Sequence, residues 1–275
     1  MAFVDLHLHS TCSDGADPPA EVAAYAKQHG LAAIALTDHD TTDGLAEAGE
    51  AARAAGIGFL NGVEVSTLYG HHSIHILGLG IEPGCPELDA VLEKLRKGRE
   101  ARSAKIVQKL QERGLPIDMD AIHELTNGDV PGRLHIARVL QANGACATVQ
   151  EAFDRWLKFG KSCFVPIPKV SCERAVEAIH AAGGLAFIAH PGLGSATRKL
   201  LPHLLKLPFD GLEVFHSKHT PADTAEFKAL AAEQGLMITG GSDCHGGANG
   251  PRLMGGTKVP VAIYEAIVEA LARKV

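Results

Sequence analysis

Residues 4–9 read Val4-Asp5-Leu6-His7-Leu8-His9, a strict alternation of apolar and polar side chains. In an extended strand successive side chains point to opposite faces, so Val4, Leu6 and Leu8 take one face and Asp5, His7 and His9 the other. The apolar face is complete without the histidines, and the polar face must look into something polar. Two imidazoles about 7 Å apart along one strand face can grip a single ion. A lone His-x-His would suit an ordinary hydrogen-bonded pair equally well. Here, however, the event recurs at other strands, in Thr37-Asp38-His39-Asp40, Val63-Glu64-Val65, Ile74-His75-Ile76, Ala189-His190-Pro191 and Ser242-Asp243-Cys244-His245.

Working outward from these motifs, short Val/Ile/Leu-rich runs alternate with Ala-rich amphipathic stretches, the rhythm of strand-then-helix units around a parallel sheet. Strands are expected over 3–9, 32–37, 58–65, 73–79, 186–190, 211–215 and 236–240. Helices are expected over 18–29, 44–55, 171–182, 222–234 and 261–274, four of them stopped by glycine. No Gly-x-Gly-x-x-Gly turn follows any strand, so a closed or nearly closed barrel is favoured over a flat doubly wound sheet. Its strand ends would meet at one rim, where such folds keep their active sites. Between Pro86 and Val165 the rhythm breaks into helices expected over 88–113, 118–125, 134–142 and 149–159. The expected organisation is a barrel from 1–92 and 162–275 with a helical insertion over 93–161.

The chain has 275 residues, 46% hydrophobic and 21% charged, which excludes collagen, coiled coil and wholesale disorder. No run approaches a membrane span, and the first ten residues lack a signal peptide's basic start and apolar run, so a cytoplasmic protein is expected. Six cysteines without a Cys-x-x-Cys pair read as reduced thiols. The net charge of −6 is uneven: residues 93–161 carry +4 and the remainder −10. The insertion is a basic segment in an acidic protein, the distribution of a lid that supplies phosphate contacts.

His7, His9, Asp14, His39, Glu64, His75, His190, Asp243 and His245 are too many ligands for one ion. Two or three divalent ions per chain are expected, with Mn²⁺ foremost and Fe²⁺ or Zn²⁺ also suited to histidine and carboxylate donors. Such clusters serve hydrolysis at phosphorus or at a carbonyl, because one ion lowers the pKa of a water while its neighbour polarises the group attacked. Asp5, on the same strand face, is expected to orient a ligand histidine. His216 and His219 follow a strand and are candidates to contact phosphate or protonate the leaving oxygen, and Arg133 and His135 to contact phosphate. His29, His71, His72, His123, His180 and His203 read as structural or surface residues.

Taken as an ordered set, Asp5 to Ser10, Ser13-Asp14-Gly15, Leu36 to Thr41, Gly62-Val63-Glu64, His75 to Gly78, Ala189-His190-Pro191 and Gly241 to His245 resemble the PHP (polymerase and histidinol phosphatase) family of metal-dependent phosphoesterases. The resemblance implies a distorted seven-stranded β/α barrel with three metal sites. His7, His9, Glu64 and Asp243 would hold the first ion, Glu64 with His75 and His190 the second, and Asp14, His39 and His245 the third. Within the family, Gly132-Arg133-Leu134-His135-Ile136-Ala137-Arg138 and Phe164-Val165-Pro166 resemble stand-alone members that act as nucleoside 3′,5′-bisphosphate phosphatases and as 5′→3′ exoribonucleases. Leu134 stands where many of these have proline. The implied activity is hydrolysis of a nucleotide phosphate monoester by a hydroxide bridging two metals, on a small phosphorylated substrate or short RNA, with no membrane and no obligate protein partner. A histidinol phosphatase is the alternative within the family. An amide hydrolase is the alternative outside it, but such barrels usually bridge their metals with a modified lysine, and no expected strand here ends in lysine. A proofreading module would want an attached polymerase domain.

Overall fold

In the computed structural model, residues 2–126, 131–166, 170–193, 195–247 and 253–274 are described. The elements in chain order are β1 (Phe3–Leu8), α1 (Pro19–Gln28), β2 (Leu31–Leu36), α2 (Leu45–Ala55), β3 (Gly58–Tyr69), β4 (His72–Leu79) and α3 (Pro86–Gln111). Next come α4 (Met119–Thr126), α5 (Arg133–Ala142) and α6 (Val149–Ala152), which runs into a π-helical turn, Phe153–Leu157. The chain then forms β5 (Val170–Ser171), α7 (Cys172–Ala181), β6 (Leu185–Ile188), α8 (Ser195–Leu204), β7 (Gly211–His216), α9 (Pro221–Gln234), β8 (Met237–Gly241), β9 (Val259–Pro260) and α10 (Val261–Ala272). Each of the seven expected strands is present. The short β5 and β9 and the helix α8 were not expected. None of the described helices is long and apolar enough to cross a membrane.

The sheet runs β8-β7-β6-β4-β3-β2-β1-β9, with β5 beside β3. One expectation is corrected: β4 lies antiparallel to both β3 and β6. The reason is length, since only Gly70 and His71 separate β3 from β4, whereas a parallel crossover needs a dozen residues or more. Gly70 takes a left-handed φ of +60° at the turn. Reversal places the amino end of β4 beside the carboxyl end of β3, so His75, paired with Ser66, still comes to the rim.

β8 closes on β1 just beyond its own end. The Asp243 N–H donates to the His7 carbonyl (3.0 Å) and the His9 N–H to the Cys244 carbonyl (3.1 Å). Asp5 reinforces this seam, its carboxylate accepting the Ser242 N–H at 2.8 Å and the Gly255 N–H at 3.5 Å. Gly241 is required at the closure, because a Cβ there would press on the His7 backbone nitrogen at 2.5 Å. The outward strand faces, with Val4, Leu6, Ala33, Ala35, Leu77, Leu79 and Phe187, pack with Ile263 and Ile267 of α10 into one apolar core. The other face of β1 buries Asp5 and His7 completely. Glycines Gly56 and Gly235 end α2 and α9 in the left-handed conformation, as helix C-caps commonly do.

The chain packs as two compact units, residues 1–92 with 170–275, and residues 93–169. The second has its own core of Ile106, Leu110, Ile122, Ile136, Leu140 and Leu157. Residues 162–166, expected with the barrel, belong to it, because fully buried Cys163 and half-buried Val165 pack on that core. The helix expected over 149–159 becomes π-helical at Phe153 and stops at Leu157.

Among the described residues the hydrogen bonds of the Asp5 carboxylate go to Ser242, to the Gly255 N–H and to the backbone of His7, so it holds the seam and the backbone of a candidate ligand instead of orienting a ligand ring, which corrects the role expected for it. Its pKa is pushed up to about 6 by burial, against the pull of its hydrogen bonds. Asp5→Ala should cost about 1–3 kcal/mol by orphaning the buried Ser242 N–H, and Asp5→Asn, which keeps an acceptor there, less. Urea midpoints of the two variants check the order.

Candidate metal centre

The centre is built from strand ends. His7 lies on β1 and His9 follows it, Asp14 sits in the β1–α1 loop, and His39 follows β2, paired to Glu64 by an isolated parallel bridge. Glu64 is in β3 and His75 in β4, while His190, Asp243 and His245 follow β6 and β8. All nine expected ligands come together.

Glu64 is the hub, 1% exposed. Its Oε1 is 2.8 Å from His75 Nδ1 and 2.9 Å from His190 Nε2. Its Oε2 lies 3.3 Å from His7 Nε2, 3.2 Å from His9 Nε2 and 3.2 Å from His39 Nδ1. The two oxygens of one carboxylate thus face two different sets of imidazoles, the arrangement of a bridging ligand. Three groups of donor atoms converge within 4.8 Å: His7, His9, Glu64 and Asp243; His39, Glu64 and His75; and His9, Asp14, His39 and His245.

The donor chemistry fits divalent cations. His7 Nδ1 donates to Glu213 Oε1 at 3.0 Å, so Nε2 is the atom turned to Glu64 and to Asp243 Oδ1 (3.6 Å). Burial works against a charged ring, but Glu213, Glu64 and Asp243 hold its pKa well above the ordinary value, so without a metal a proton occupies the place on Nε2 that a divalent cation would take. His245 Nδ1 likewise donates to the Asp243 carbonyl at 2.9 Å, and its Nε2 points at Asp14 Oδ1, 3.2 Å away. Electron-pair donors facing one another across 3.2–3.6 Å call for a cation between them. Among the described residues, buried His9 Nδ1 and Nε2 and His39 Nδ1 also lack a hydrogen-bond partner of good geometry.

Charge is distributed accordingly. Burial would raise the pKa of Glu64 and Asp243, but the surrounding histidines prevail and hold both well below the usual carboxylate range. Burial also works against a charged His9, yet Asp243 and Glu64 raise it to about 10. For His39 burial prevails and lowers it to about 3.

Glu213 was not anticipated. It is fully buried, accepts from His7 Nδ1, and takes the His190 N–H at 2.7 Å, so it orients one ligand and anchors the backbone of another. The signal was an acid between Leu212 and Val214, the same pattern as Val63-Glu64-Val65. A register shift between Glu213 and Phe215 breaks the alternation, and His216, three residues on, also faces the site, its Nε2 3.4 Å from Asp243 Oδ2. Asp38 is a buried anchor, accepting from the Ser10 N–H, Ser10 Oγ and Ser13 Oγ.

His219 is corrected. Its Nδ1 donates to the Val214 carbonyl (3.0 Å) and its Nε2 accepts the Gly192 N–H (3.1 Å), so both nitrogens hold backbone and neither is available to a leaving group. In the second unit His135 Nδ1 accepts the Gly132 N–H at 3.1 Å, capping α5. Arg133 donates to the Leu157 carbonyl and lies over the rings of Phe153 and Phe164. Arg102 donates to the Val165 carbonyl. Burial, then the charges of Arg133 and Arg99, bring Arg102 down to about 9, and burial and Arg99 lower Arg133. Clustered guanidinium groups suit a phosphate, which each can grip bidentately.

The model of the PHP domain matches residues 5–164. The chain belongs to the PHP domain family. Among PHP relatives, the 3′,5′-nucleoside bisphosphate phosphatase of Chromobacterium violaceum is 42% identical, over 94% of this chain and 92% of its own. The 5′-3′ exoribonuclease of Haemophilus influenzae is 38% identical, over 88% and 89%. A Bifidobacterium adolescentis protein described as a metal-dependent phosphoesterase superposes with a TM-score of 0.87 at 29% identity, covering 97% of this chain and 96% of that one. This PHP chain is a metal-dependent phosphoric ester hydrolase.

Glu213→Gln offers one acceptor oxygen where His7 and His190 each need one, and should lower metal affinity roughly 10- to 100-fold with the fold intact, as read by calorimetric titration. The metal-stripped protein should be most heat-stable near pH 6.5. Below pH 4.5, the ordinary value for Glu64, the depressed carboxylates lose their contribution, and His39 loses its own as pH falls from 6.5 towards 3. The contribution of His9 is complete below 6.5 and is lost as pH climbs through about 10. Thermal midpoints between pH 4 and 10 check this.

Proposed function

We propose that this chain removes the 3′-phosphate of nucleoside 3′,5′-bisphosphates and trims short RNA from its 5′ end. The observation that carries the reading is the divided carboxylate of Glu64, which faces imidazoles on both sides, as a site acting on a single phosphoryl group with more than one cation requires. The named activities of the Chromobacterium and Haemophilus relatives, each aligned over most of both chains, supply the nucleotide.

His7, His9, Glu64 and Asp243 would hold one ion, Glu64 with His75 and His190 a second, and His39, His245 and Asp14 a third, with His9 beside it. When bound, Mn²⁺, Fe²⁺ or Zn²⁺ supplies Lewis-acid polarisation of the phosphoryl oxygens and an activated water. The chain's own residues set the geometry. Glu213 holds a proton of His7 on Nδ1, which leaves Nε2 as the atom for the ion. His216 Nδ1 accepts the Lys218 N–H at 3.1 Å, which puts the proton of the neutral ring on Nε2, facing Asp243. From there His216 steadies that carboxylate or donates towards a substrate oxygen.

A screen of phosphate release from nucleoside 5′-, 3′- and 3′,5′-phosphates and histidinol phosphate, with Mn²⁺ present, should single out the 3′,5′-bisphosphate. Elemental analysis of the active enzyme should find at least two ions per chain. Preference for histidinol phosphate would overturn the substrate assignment. We assign Arg133 to a phosphate that does not react. Arg133→Ala should then raise KM for the bisphosphate about tenfold or more while leaving KM for a small generic phosphate ester unchanged, whereas an equal fall of kcat on both would place Arg133 on the reacting group.

A further inference from the structure

Among the described residues Phe159 is the most exposed large hydrophobic side chain, at 85%, against 45% for Leu125, the next. It does not sit on a loose end. The preceding π-helical turn closes with the Lys158 N–H on the Phe153 carbonyl (3.1 Å), and the Lys161 N–H then returns to the Lys158 carbonyl (3.0 Å). The Phe164 N–H meets the Lys161 carbonyl (3.0 Å) and the Cys163 N–H the Trp156 carbonyl (3.1 Å). Gly160 supplies the left-handed φ of +79° that this tight turn needs. The ring is therefore presented on a fixed backbone.

Phe159 is also backed from behind. Its centroid lies 5.4 Å from that of Phe164 in an edge-to-face contact, and Phe164 in turn lies 6.0 Å from the Arg133 guanidinium carbon. The surroundings are cationic. Lys158 and Lys161 flank the ring in sequence, Lys109 Nζ donates to the Phe164 carbonyl, and the nearby Asp154 carboxylate is held at 2.6 Å by Lys158. An apolar protein partner would find one ring among charges and little area to bury. A nucleobase, which has a π-face and a phosphate attached, would find both a stacking surface and compensating cations. Exposed aromatics set among basic side chains are how single strands are held without reading sequence.

We propose that Phe159 is a base-stacking platform for single-stranded oligoribonucleotides, formed wholly within residues 93–169. This rests on the reading of the chain as an enzyme of nucleotides and short RNA, and extends it from the phosphate to the base. The stack is sequence-tolerant and contributes to binding rather than to the chemical step.

The test is the affinity of the full-length, metal-loaded protein for a 5′-phosphorylated, phosphorothioate-linked hexaribonucleotide, measured by fluorescence anisotropy beside the same backbone without bases. Phe159→Ala should weaken binding of the base-bearing strand about tenfold or more, and Phe159→Trp should keep it. The base-free strand should bind wild type and Phe159→Ala alike. Unchanged affinity for the base-bearing strand in Phe159→Ala, or an equal loss on both strands, would overturn the platform, as would sedimentation showing that Phe159→Ala alters only self-association. Phosphate release from the nucleoside bisphosphate is scored separately. Absence of that release with the stacking pattern intact would count against the hydrolytic reading alone, and the reverse against the platform alone.

Discussion

A carboxylate buried in the mouth of a barrel and ringed by five imidazoles is the constraint to which the rest of this fold answers. Glu64 is almost wholly withdrawn from water, and an ionised carboxylate so placed costs several kcal/mol unless opposite charge or hydrogen bonds offset it. Here the offset comes from five imidazoles on four separate stretches of chain, each with a nitrogen within 3.3 Å of one of the two oxygens. Such convergence needs strand ends that meet at one place, which a closed sheet provides and an open one does not. The closure is correspondingly firm at the rim, where the backbone pairs of His7 and His9 with Asp243 and Cys244 bring ligands of the first and last large strands into register. Stability of the seam and geometry of the metal cluster are therefore one property.

The nine candidate ligands were legible as a group because polar residues in an apolar alternation have few explanations, and because their repetition at several strands made coincidence costly; the structure brings them together. What alternation could not show was any departure from a period of two. Glu213 and His216 both face the centre although three residues apart, since the irregularity in β7 changes the phase between them. Such bulges re-aim side chains beside active sites, and no composition signal announces this one. The reversal of β4 was in principle readable, as two residues cannot make a crossover, but the strand-helix rhythm on either side concealed it. Asp5 was misassigned for a different reason. Its face was read correctly, but a side chain one step deeper in the barrel meets the backbone of the closing strand before it can meet a ring.

The second unit was less legible. Its helices are positioned by an apolar core of their own, and helical periodicity marks which face is buried, not which cations share a neighbourhood. The positive balance of residues 93–161 was visible as a number. That Arg102 and Arg133 lie close enough to Arg99 to be lowered by its charge, and that they donate to main-chain carbonyls, depends on contacts within the second unit that periodicity does not show. His135 illustrates the same limit, since its place in the motif suggested chemistry whereas one of its nitrogens caps a helix.

Among the described residues three that are not glycine, Asp40, His190 and Asp243, adopt positive φ, and all three lie at strand ends around the centre. L-residues there carry a conformational cost of order 1–3 kcal/mol each, which persists only where the surroundings over-determine it. They do so here by hydrogen bonds. Asp40 Oδ1 accepts the Ser66 N–H at 2.7 Å, the His190 N–H is held by Glu213, and the Asp243 N–H is held by the His7 carbonyl. Each of these locks joins a strained residue to a neighbouring strand or to the ligand set. The strain is thus distributed around the rim and opposed by the same closure that gathers the ligands. A site organised in this way has donors fixed before any cation or substrate arrives, so binding energy goes into the phosphoryl group rather than into ordering the protein.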